Sequence, residues 1–316
     1  MNKFLVTGGA GFIGSNIVDE LVARGHDVKV VDNFMTGKRE NLEGVLKKIE
    51  LIEGDIRDLD LMRRAVKGAE YVLHQAAFRS VPKSVDNPTL ANDINVTGTL
   101  NVLIASKEAG VKRLVSASSS SCYGDTDSFP EREDAFPRPI SPYAVSKLAG
   151  EYYCKTFSAT FGLKTVSLRY FNVFGPRQNP ESKYSTVIPI FIYRMLGDLS
   201  PIVNGDGRQS RDFTYVKNVV EANIAAALKE GDFNGEVFNV ACGESYSVLD
   251  IISHLNAFMG KKIKPEFVSP RPGDVKKTQA DISGLKKALG VIPGVRFKEG
   301  LKMTLDWFTK SDVKLV

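Results

Sequence analysis

The sequence is poor in cysteine, and the cysteines it has are badly placed to act together. Only three occur among 316 residues, Cys122, Cys154 and Cys242, and no two form a Cys-x-x-Cys spacing. The sequence therefore predicts neither a disulfide framework nor a zinc site, and we expect no metal centre. Such cysteine usage is typical of a protein that works in the reducing cytoplasm.

Long apolar runs and a strong charge of one sign are also missing. No run approaches the ~20 residues that a membrane span needs, and the apolar start of the chain breaks into glycines too early for a signal peptide. The net charge is only +5, and the basic residues are interspersed with acidic ones. A nucleic-acid-binding protein usually concentrates its basic residues on a face or an arm. We therefore expect neither a nucleic-acid nor a membrane partner.

The first half of the chain alternates short β-branched runs with stretches of helical spacing. Helices are predicted over residues 12–24, 59–66, 89–109 and 142–161. Strands are predicted over residues 3–7, 27–31, 49–53, 71–74, 113–117 and 165–169, with a seventh over 236–240. This alternation favours an α/β fold with a parallel sheet covered by helices on both faces.

The composition changes after Phe174-Gly175-Pro176, where the chain becomes loop-rich. We predict a large domain formed by residues 1–175 and about 210–244. A smaller, interleaved C-terminal domain is predicted from residues 176–209 and 245–316, so the chain would cross between the two domains more than once.

A glycine turn lies directly between the first predicted strand and the first predicted helix. Its glycines, Gly8, Gly11 and Gly14, suit a tight turn and a close approach of the backbone to a pyrophosphate, which would rest on the helix that starts near Phe12. This turn predicts a Rossmann-type, doubly wound sheet that binds a dinucleotide. Asp32 ends the second strand, where a carboxylate accepts hydrogen bonds from ribose hydroxyls and repels a 2′-phosphate, so NAD is favoured over NADP.

Tyr143 and Lys147 form a Tyr-x-x-x-Lys pair on one face of a predicted helix. An ammonium beside a phenol favours the phenolate, so we expect the pKa of Tyr143 to be lowered and the phenol to act as a general base. The serine run Ser118–Ser121 follows the fifth strand at the functional end of a parallel sheet. One of its hydroxyls is expected to hydrogen-bond the same substrate oxygen as Tyr143.

With these motifs the sequence resembles the extended short-chain dehydrogenase/reductase superfamily and, within it, the UDP-sugar 4-epimerases. The resemblance extends over essentially the whole chain. Its motifs are Thr7–Gly14, Asp55, His74-Gln75-Ala76-Ala77, Ser119, Tyr143 with Lys147, Tyr170-Phe171-Asn172-Val173-Phe174-Gly175-Pro176, Arg211-Asp212-Phe213 and Arg271-Pro272-Gly273-Asp274.

The resemblance implies roles for these residues. Ser119, Tyr143 and Lys147 would be catalytic. The residues expected to bind NAD are Gly8, Gly11, Phe12, Ile13, Gly14, Asp32, Asn33, Asp55, Ile56, Gln75, Ala76, Ala77, Tyr143, Lys147 and Tyr170. The residues expected to bind the UDP-sugar are Ser80, Ser119, Ser120, Ser121, Tyr143, Asn172, Val187, Asn204, Arg211, Arg271, Asp274 and Thr278, with the two arginines on the diphosphate.

The serine run indicates which member of the family this is. Related dehydratases resemble this chain but have Asp-Glu at the positions of Ser120 and Ser121, and related decarboxylases have Glu at the second. A serine hydroxyl cannot serve as a base at neutral pH, so epimerisation is favoured. Family members restricted to unacetylated hexoses resemble one another in having a bulky tyrosine at the position of Thr278. The resemblance therefore implies that this smaller residue leaves room for a 2-acetamido group, which favours UDP-N-acetylglucosamine/UDP-N-acetylgalactosamine, with UDP-glucose/UDP-galactose as a second activity.

The sequence also leaves an alternative substrate and an alternative function to consider, and it indicates an oligomeric state. UDP-glucuronate stays open as a substrate because Arg79 or Lys83 could meet its carboxylate. A non-catalytic NAD-binding regulator is disfavoured, since such proteins typically lose the tyrosine or the lysine. The apolar faces of residues 90–109 and 143–161 exceed what one sheet can cover, and with the resemblance they imply a homodimer joined by a four-helix bundle.

Overall fold

The computed structural model describes residues 1–180, 187–270 and 275–310. Its strands are β1 (Lys3–Thr7), β2 (Asp27–Asp32), β3 (Ile49–Glu53), β4 (Tyr71–His74), β5 (Arg113–Ser119), β6 (Thr165–Tyr170), β7 (Val173–Phe174), β8 (Ile202–Asn204), β9 (Ser210–Arg211), β10 (Thr214–Tyr215), β11 (Asn234–Val240), β12 (Tyr246–Ser247) and β13 (Glu266–Val268).

The α-helices of the same ranges are α1 (Phe12–Ala23), α2 (Leu59–Val66), α3 (Val81–Asp86), α4 (Pro88–Asn92), α5 (Gly98–Glu108), α6 (Pro142–Phe161), α7 (Val187–Leu196), α8 (Val216–Leu228), α9 (Val248–Met259), α10 (Ser283–Leu289) and α11 (Phe297–Lys310). A π-helical turn, Asp93–Thr97, joins α4 to α5. None of the helices in the described ranges is long and apolar enough to cross a membrane.

Seven strands form one parallel sheet in the order β11-β6-β5-β4-β1-β2-β3. Successive side chains of a strand point to opposite faces, and β1 shows the result. Phe4 and Val6 pack with α1, α8 and α10 on one face, whereas Leu5 packs with α2, α5 and α6 on the other. The fold is therefore the Rossmann-type, doubly wound α/β sheet that the sequence predicts.

A second hydrophobic cluster is built from separate stretches of the chain. It joins side chains of α7, β7, β10, α9 and α11, with the rings of Phe174 and Phe213 5.7 and 5.5 Å from that of Phe297. Three two-stranded pairs, β10 with β7, β12 with β9 and β13 with β8, lie outside the main sheet. The stretches predicted to form the smaller domain supply most of this cluster, while the domain boundaries themselves stay a prediction.

Candidate active site

The glycine turn after β1 is packed too closely for side chains. Gly8 has φ +68°, and a Cβ on it would lie 2.7 Å from backbone atoms of Ala76. A Cβ on Gly14 would lie 2.1 Å from the Gly8 carbonyl oxygen. The helix α1 begins at Phe12 with Gly11 as its N-cap, and no side chain among the described residues caps it or adds an acidic group to its first turn. This bare helix N-terminus fits the diphosphate of a dinucleotide.

The predicted ribose and adenine ligands follow β2 and β3. Asp32 is buried, which raises its pKa, and its two oxygens accept from the amides of Ala10 and Phe34 at 2.9 and 2.8 Å. A carboxylate has about four acceptor positions, so Asp32 can still accept from ribose hydroxyls. Asn33 donates to Asp55 at 2.8 Å, and hydrogen bonds from Arg57 lower the pKa of Asp55 to about 2.

Gln75 and Tyr170, both predicted to bind NAD, belong to a closed ring of hydrogen bonds. The Tyr170 hydroxyl donates to Gln75 Oε1 at 3.0 Å, Gln75 Nε2 donates to Asn223 Oδ1 at 3.0 Å, and Asn223 Nδ2 donates back to the Tyr170 hydroxyl at 2.8 Å. Asn223 lies on α8, and it cannot be predicted as part of the site because the sequence around it forms no motif. The ring fixes the start of the segment that continues into Ala76 and Ala77.

Ser119, Tyr143 and Lys147 converge where β5 meets the start of α6. Ser119 accepts from the amide and the hydroxyl of Ser121 at 3.2 and 2.8 Å, and a hydrogen bond links it to Tyr143. Burial nevertheless raises the pKa of Tyr143 to about 12 and lowers that of Lys147 to about 8.

The expected lowering of the Tyr143 pKa by Lys147 is therefore not found in this structure. The Lys147 ammonium donates to the carbonyl of Ala117 at 2.9 Å, and burial of the phenol is the largest influence on its pKa. The opposing influences are the hydrogen bond with Ser119 and the positive charge of Arg79. The spacing of the two residues along the helix indicates that they are neighbours but carries no information on their burial.

His74 lies beneath this centre as a neutral side chain. Burial and the Lys147 charge lower its pKa to about 3. The Thr99 hydroxyl donates to the Asn95 carbonyl at 2.6 Å, so it must accept from His74 Nε2, 3.0 Å away. His74 Nδ1 is then the acceptor for Thr7, 2.7 Å away. The histidine thus holds the strand end before the glycine turn and is unsuited to act as a base.

Three of the predicted substrate residues meet at one point. Asn172 donates to Thr278 at 3.3 Å, and the Thr278 hydroxyl also accepts from the amide of Asp212 at 3.1 Å, next to Arg211. The buried Asp212 carboxylate accepts from the amides of Cys242, Gly243 and Ala280 at 2.9, 2.9 and 3.2 Å.

The remaining predicted substrate residues lie on other elements. Ser80 is the N-cap of α3, Val187 begins α7 and Asn204 ends β8. Ser120 and Ser121 form a 3-10 turn with Cys122 and Tyr123. Arg271 and Asp274 lie outside the described residues.

Comparison with known proteins places this geometry in context. The model of the "NAD dependent epimerase/dehydratase family" matches residues 4–241. A UDP-glucose 4-epimerase from Thermotoga maritima, solved with UDP-glucose, is 41% identical with a TM-score of 0.93, over 98% of this chain and 99% of that one. A UDP-N-acetylglucosamine 4-epimerase from Methanobrevibacter ruminantium, solved with UDP-N-acetylmuramic acid, is 40% identical with a TM-score of 0.93, over 98% of both chains. A UDP-glucuronate 4-epimerase from Thermodesulfobacterium geofontis is 37% identical over 100% of this chain and 98% of its own.

Proposed function

Because the chain belongs to the NAD-dependent epimerase/dehydratase family and is a UDP-sugar 4-epimerase, we propose that its substrate is a UDP-N-acetylhexosamine, whose C4 hydroxyl it inverts. The observation that carries the inversion at C4 is the pairing of Tyr143 with a turn of serines, while the small Thr278, hydrogen-bonded to Asn172, supports the choice of sugar. Ser119 hydrogen-bonds the phenol, and the next two positions hold hydroxyls in place of carboxylates. Such a centre can move one proton to and from a sugar oxygen, which is what epimerisation requires.

In the proposed reaction, each residue near this turn of serines has a separate role. Tyr143, in the phenolate form that the Ser119 hydrogen bond and the Arg79 charge favour, takes the proton of the C4 hydroxyl and later returns it, while Ser119 hydrogen-bonds the same oxygen. Lys147, held by the carbonyl of Ala117, places a positive charge on the Tyr143 face of α6. Bound NAD supplies the hydride acceptor and donor. Asn172, Arg211 and Arg271 hold the UDP moiety while the 4-keto sugar turns over between the two transfers.

The geometry of the residues predicted to bind NAD supports its tight retention. The helix α1 offers its bare N-terminus to the diphosphate, and Asp32 keeps free acceptor positions for the ribose. Because NAD is regenerated in each cycle, it would behave as a prosthetic group that copurifies with the protein.

UDP-glucuronate is a second candidate substrate, favoured by the placement of Arg79. The Arg79 guanidinium lies close enough to Tyr143 that each group influences the pKa of the other. A sugar bound with C4 at Tyr143 would therefore present its carboxylate to a nearby positive charge.

One experiment tests the proposal and its alternatives together. The purified protein is incubated separately with UDP-N-acetylglucosamine, UDP-glucose and UDP-glucuronate, and the nucleotide sugars are separated by chromatography. We expect the fastest conversion with UDP-N-acetylglucosamine and a slower one with UDP-glucose. Faster conversion of UDP-glucuronate, reduced by Arg79→Leu, would replace the proposal with the second candidate.

A further inference from the structure

A buried ion pair lies one helical turn beyond the catalytic pair of α6. Arg169 on β6 donates from Nε and Nη2 to the two oxygens of Glu151 at 2.8 and 2.7 Å. The side chains are only 4% and 5% exposed. Glu151 follows Lys147 by four residues on the same helix, so the pair is placed next to the reacting groups.

The ion pair also contacts both ends of the segment from Ser118 to Tyr123, which we call the serine turn. The hydroxyl of Ser118, directly before Ser119, donates to Glu151 Oε1. At the other end, the Arg169 guanidinium carbon lies 4.6 Å from the centre of the Tyr123 ring, in cation–π geometry. Ser119, Ser120 and Ser121 lie between these two attachment points.

A second set of bonds anchors Tyr123 from the opposite side. Its hydroxyl donates to Asn239 Oδ1 at 2.7 Å, and Asn239 Nδ2 donates to the carbonyls of Glu131 and Asp281 at 2.9 and 3.0 Å. The far end of the serine turn is thereby fixed to β11 and to the segment that follows Thr278.

We propose that the Glu151–Arg169 ion pair is the positioning device that holds Ser119 against Tyr143, by clamping the serine turn to the helix that carries the tyrosine. The inference rests on the proposed roles of Ser119 and Tyr143. A catalytic hydrogen bond has to be held to within about 0.5 Å, and a displacement of about 1 Å can cost 10²-fold in rate. Glu151 and Arg169 do not themselves touch the substrate.

The test separates positioning from stability. The variants are Arg169→Met, Ser118→Ala and the double variant Glu151→Leu/Arg169→Met, which removes both charges together. Removing one partner of a buried pair destabilises a protein, whereas replacing both by apolar residues is often neutral. We therefore expect Arg169→Met to lower the melting temperature and the double variant to recover it. All three variants should lose about 10- to 100-fold in kcat and should keep their NAD and their KM.

The pH profile supplies a readout that a purely structural role would leave unchanged. The Ser119 hydrogen bond lowers the pKa of Tyr143, which is about 12, so a displaced serine should reduce the phenolate fraction and therefore kcat at every pH below that value. The charged and titratable groups that act on these two side chains are Arg79 and Cys122 for Tyr143, and Glu151, Cys122 and Cys154 for Lys147. Because Ser118→Ala retains all of these groups, it gives the cleanest comparison of pH profiles.

Arg113→Met is the matched control. Arg113 is another buried arginine of the same sheet, and it donates to the carbonyls of Ala226, Lys229 and Gly231. This control should lose stability and keep the native kcat and pH profile. Native kcat in the double variant and in Ser118→Ala would overturn the inference, and if the double variant does not fold, Ser118→Ala alone decides. Tyr143→Phe is assayed alongside, since an active Tyr143→Phe protein would instead refute the proposed function.

Discussion

At the scale of single residues, Tyr143 and Ser119 make separable contributions. Tyr143→Phe removes the only proton carrier proposed at C4, so turnover should fall by about 10²–10⁴-fold. Ser119→Ala removes one hydrogen bond and should cost less. Because that bond lowers the pKa of Tyr143, which is about 12, its loss should reduce the phenolate fraction and therefore kcat at every pH below that value. Steady-state kinetics from pH 6 to 10 measure both effects, and a larger loss from the serine would contradict the assignment of roles.

His74 gives a prediction about stability. Its pKa is about 3 in the folded protein and about 6.5 when unfolded, so between these values the unfolded state binds one more proton. His74 should therefore add about 1.4 kcal/mol per pH unit to the rise of the unfolding free energy between pH 3 and 6.5, with no further change above pH 6.5. In urea unfolding curves, His74→Gln should remove this part of the slope, whereas His254→Gln, on α9, serves as the histidine control. An unchanged slope in His74→Gln would show that His74 is protonated in the fold.

Thr278 remains the predicted size gate for the 2-acetamido group. Thr278→Tyr should shift the ratio of kcat/KM for UDP-N-acetylglucosamine and UDP-glucose by roughly 10- to 100-fold toward UDP-glucose. The structure adds a complication, because the Thr278 hydroxyl accepts from Asn172 and from the amide of Asp212. Thr278→Val removes these bonds and keeps the volume, so it separates the two effects. If the valine and tyrosine variants both lose activity equally toward the two substrates, Thr278 supports the loop that carries Asp212 and does not select the sugar.

At the scale of elements, the glycine turn before α1 admits a sharp test. Gly14→Ala places a Cβ 2.1 Å from the Gly8 carbonyl, a contact that only a shift of the backbone can relieve. We expect this variant to purify without NAD and to be less stable. Gly44→Ala, whose Cβ would meet nothing within 4 Å, should retain the cofactor. Absorbance and cofactor release on denaturation measure the occupancy, and full occupancy in Gly14→Ala would contradict the turn's role in binding.

The elements also show what sequence patterns can and cannot predict. The seven strands of the main sheet lie within two residues of their predicted bounds, because β-branched runs and glycine breaks are local signals. The helix predicted over 89–109 is instead interrupted by the π turn. There Asn95 bonds both backbone groups of Phe78 and the hydroxyl of Ser146, contacts that only the tertiary structure brings together.

The same limit applies to the site. The spacing of Tyr143 and Lys147 is visible in the sequence. The predicted serine run lies at the end of its strand, but β5 extends through Ser119, so only Ser120 and Ser121 lie in the 3-10 turn. The Glu151–Arg169 ion pair joins α6 to β6, and no pattern along the sequence predicts it.

At the scale of the whole molecule, the proposed homodimer can be located more narrowly. Val145 and Tyr152, seven residues apart on α6, are 53% and 57% exposed, and Val85 on α3 is 61% exposed. The described part of α5 packs most of its apolar residues inside. A partner helix over α6 would cover this face. Tyr152→Glu should therefore convert a dimer to a monomer in sedimentation velocity. The control Phe267→Glu, at an equally exposed position on β13, should stay dimeric. If Phe267→Glu is monomeric and Tyr152→Glu stays dimeric, the interface lies at β13 and not at α6.

The second hydrophobic cluster cannot be completed on the ribosome until the last of its helices has been synthesised. The rings of Phe174 and Phe213 pack against Phe297, about 120 residues after the first of them. At about 5–20 residues per second, translation takes roughly 6 to 25 s to cover that distance. During this interval the apolar side chains of α7 and β7 have left the tunnel without their final partners. We therefore expect the nascent chain to expose these apolar side chains until α11 emerges.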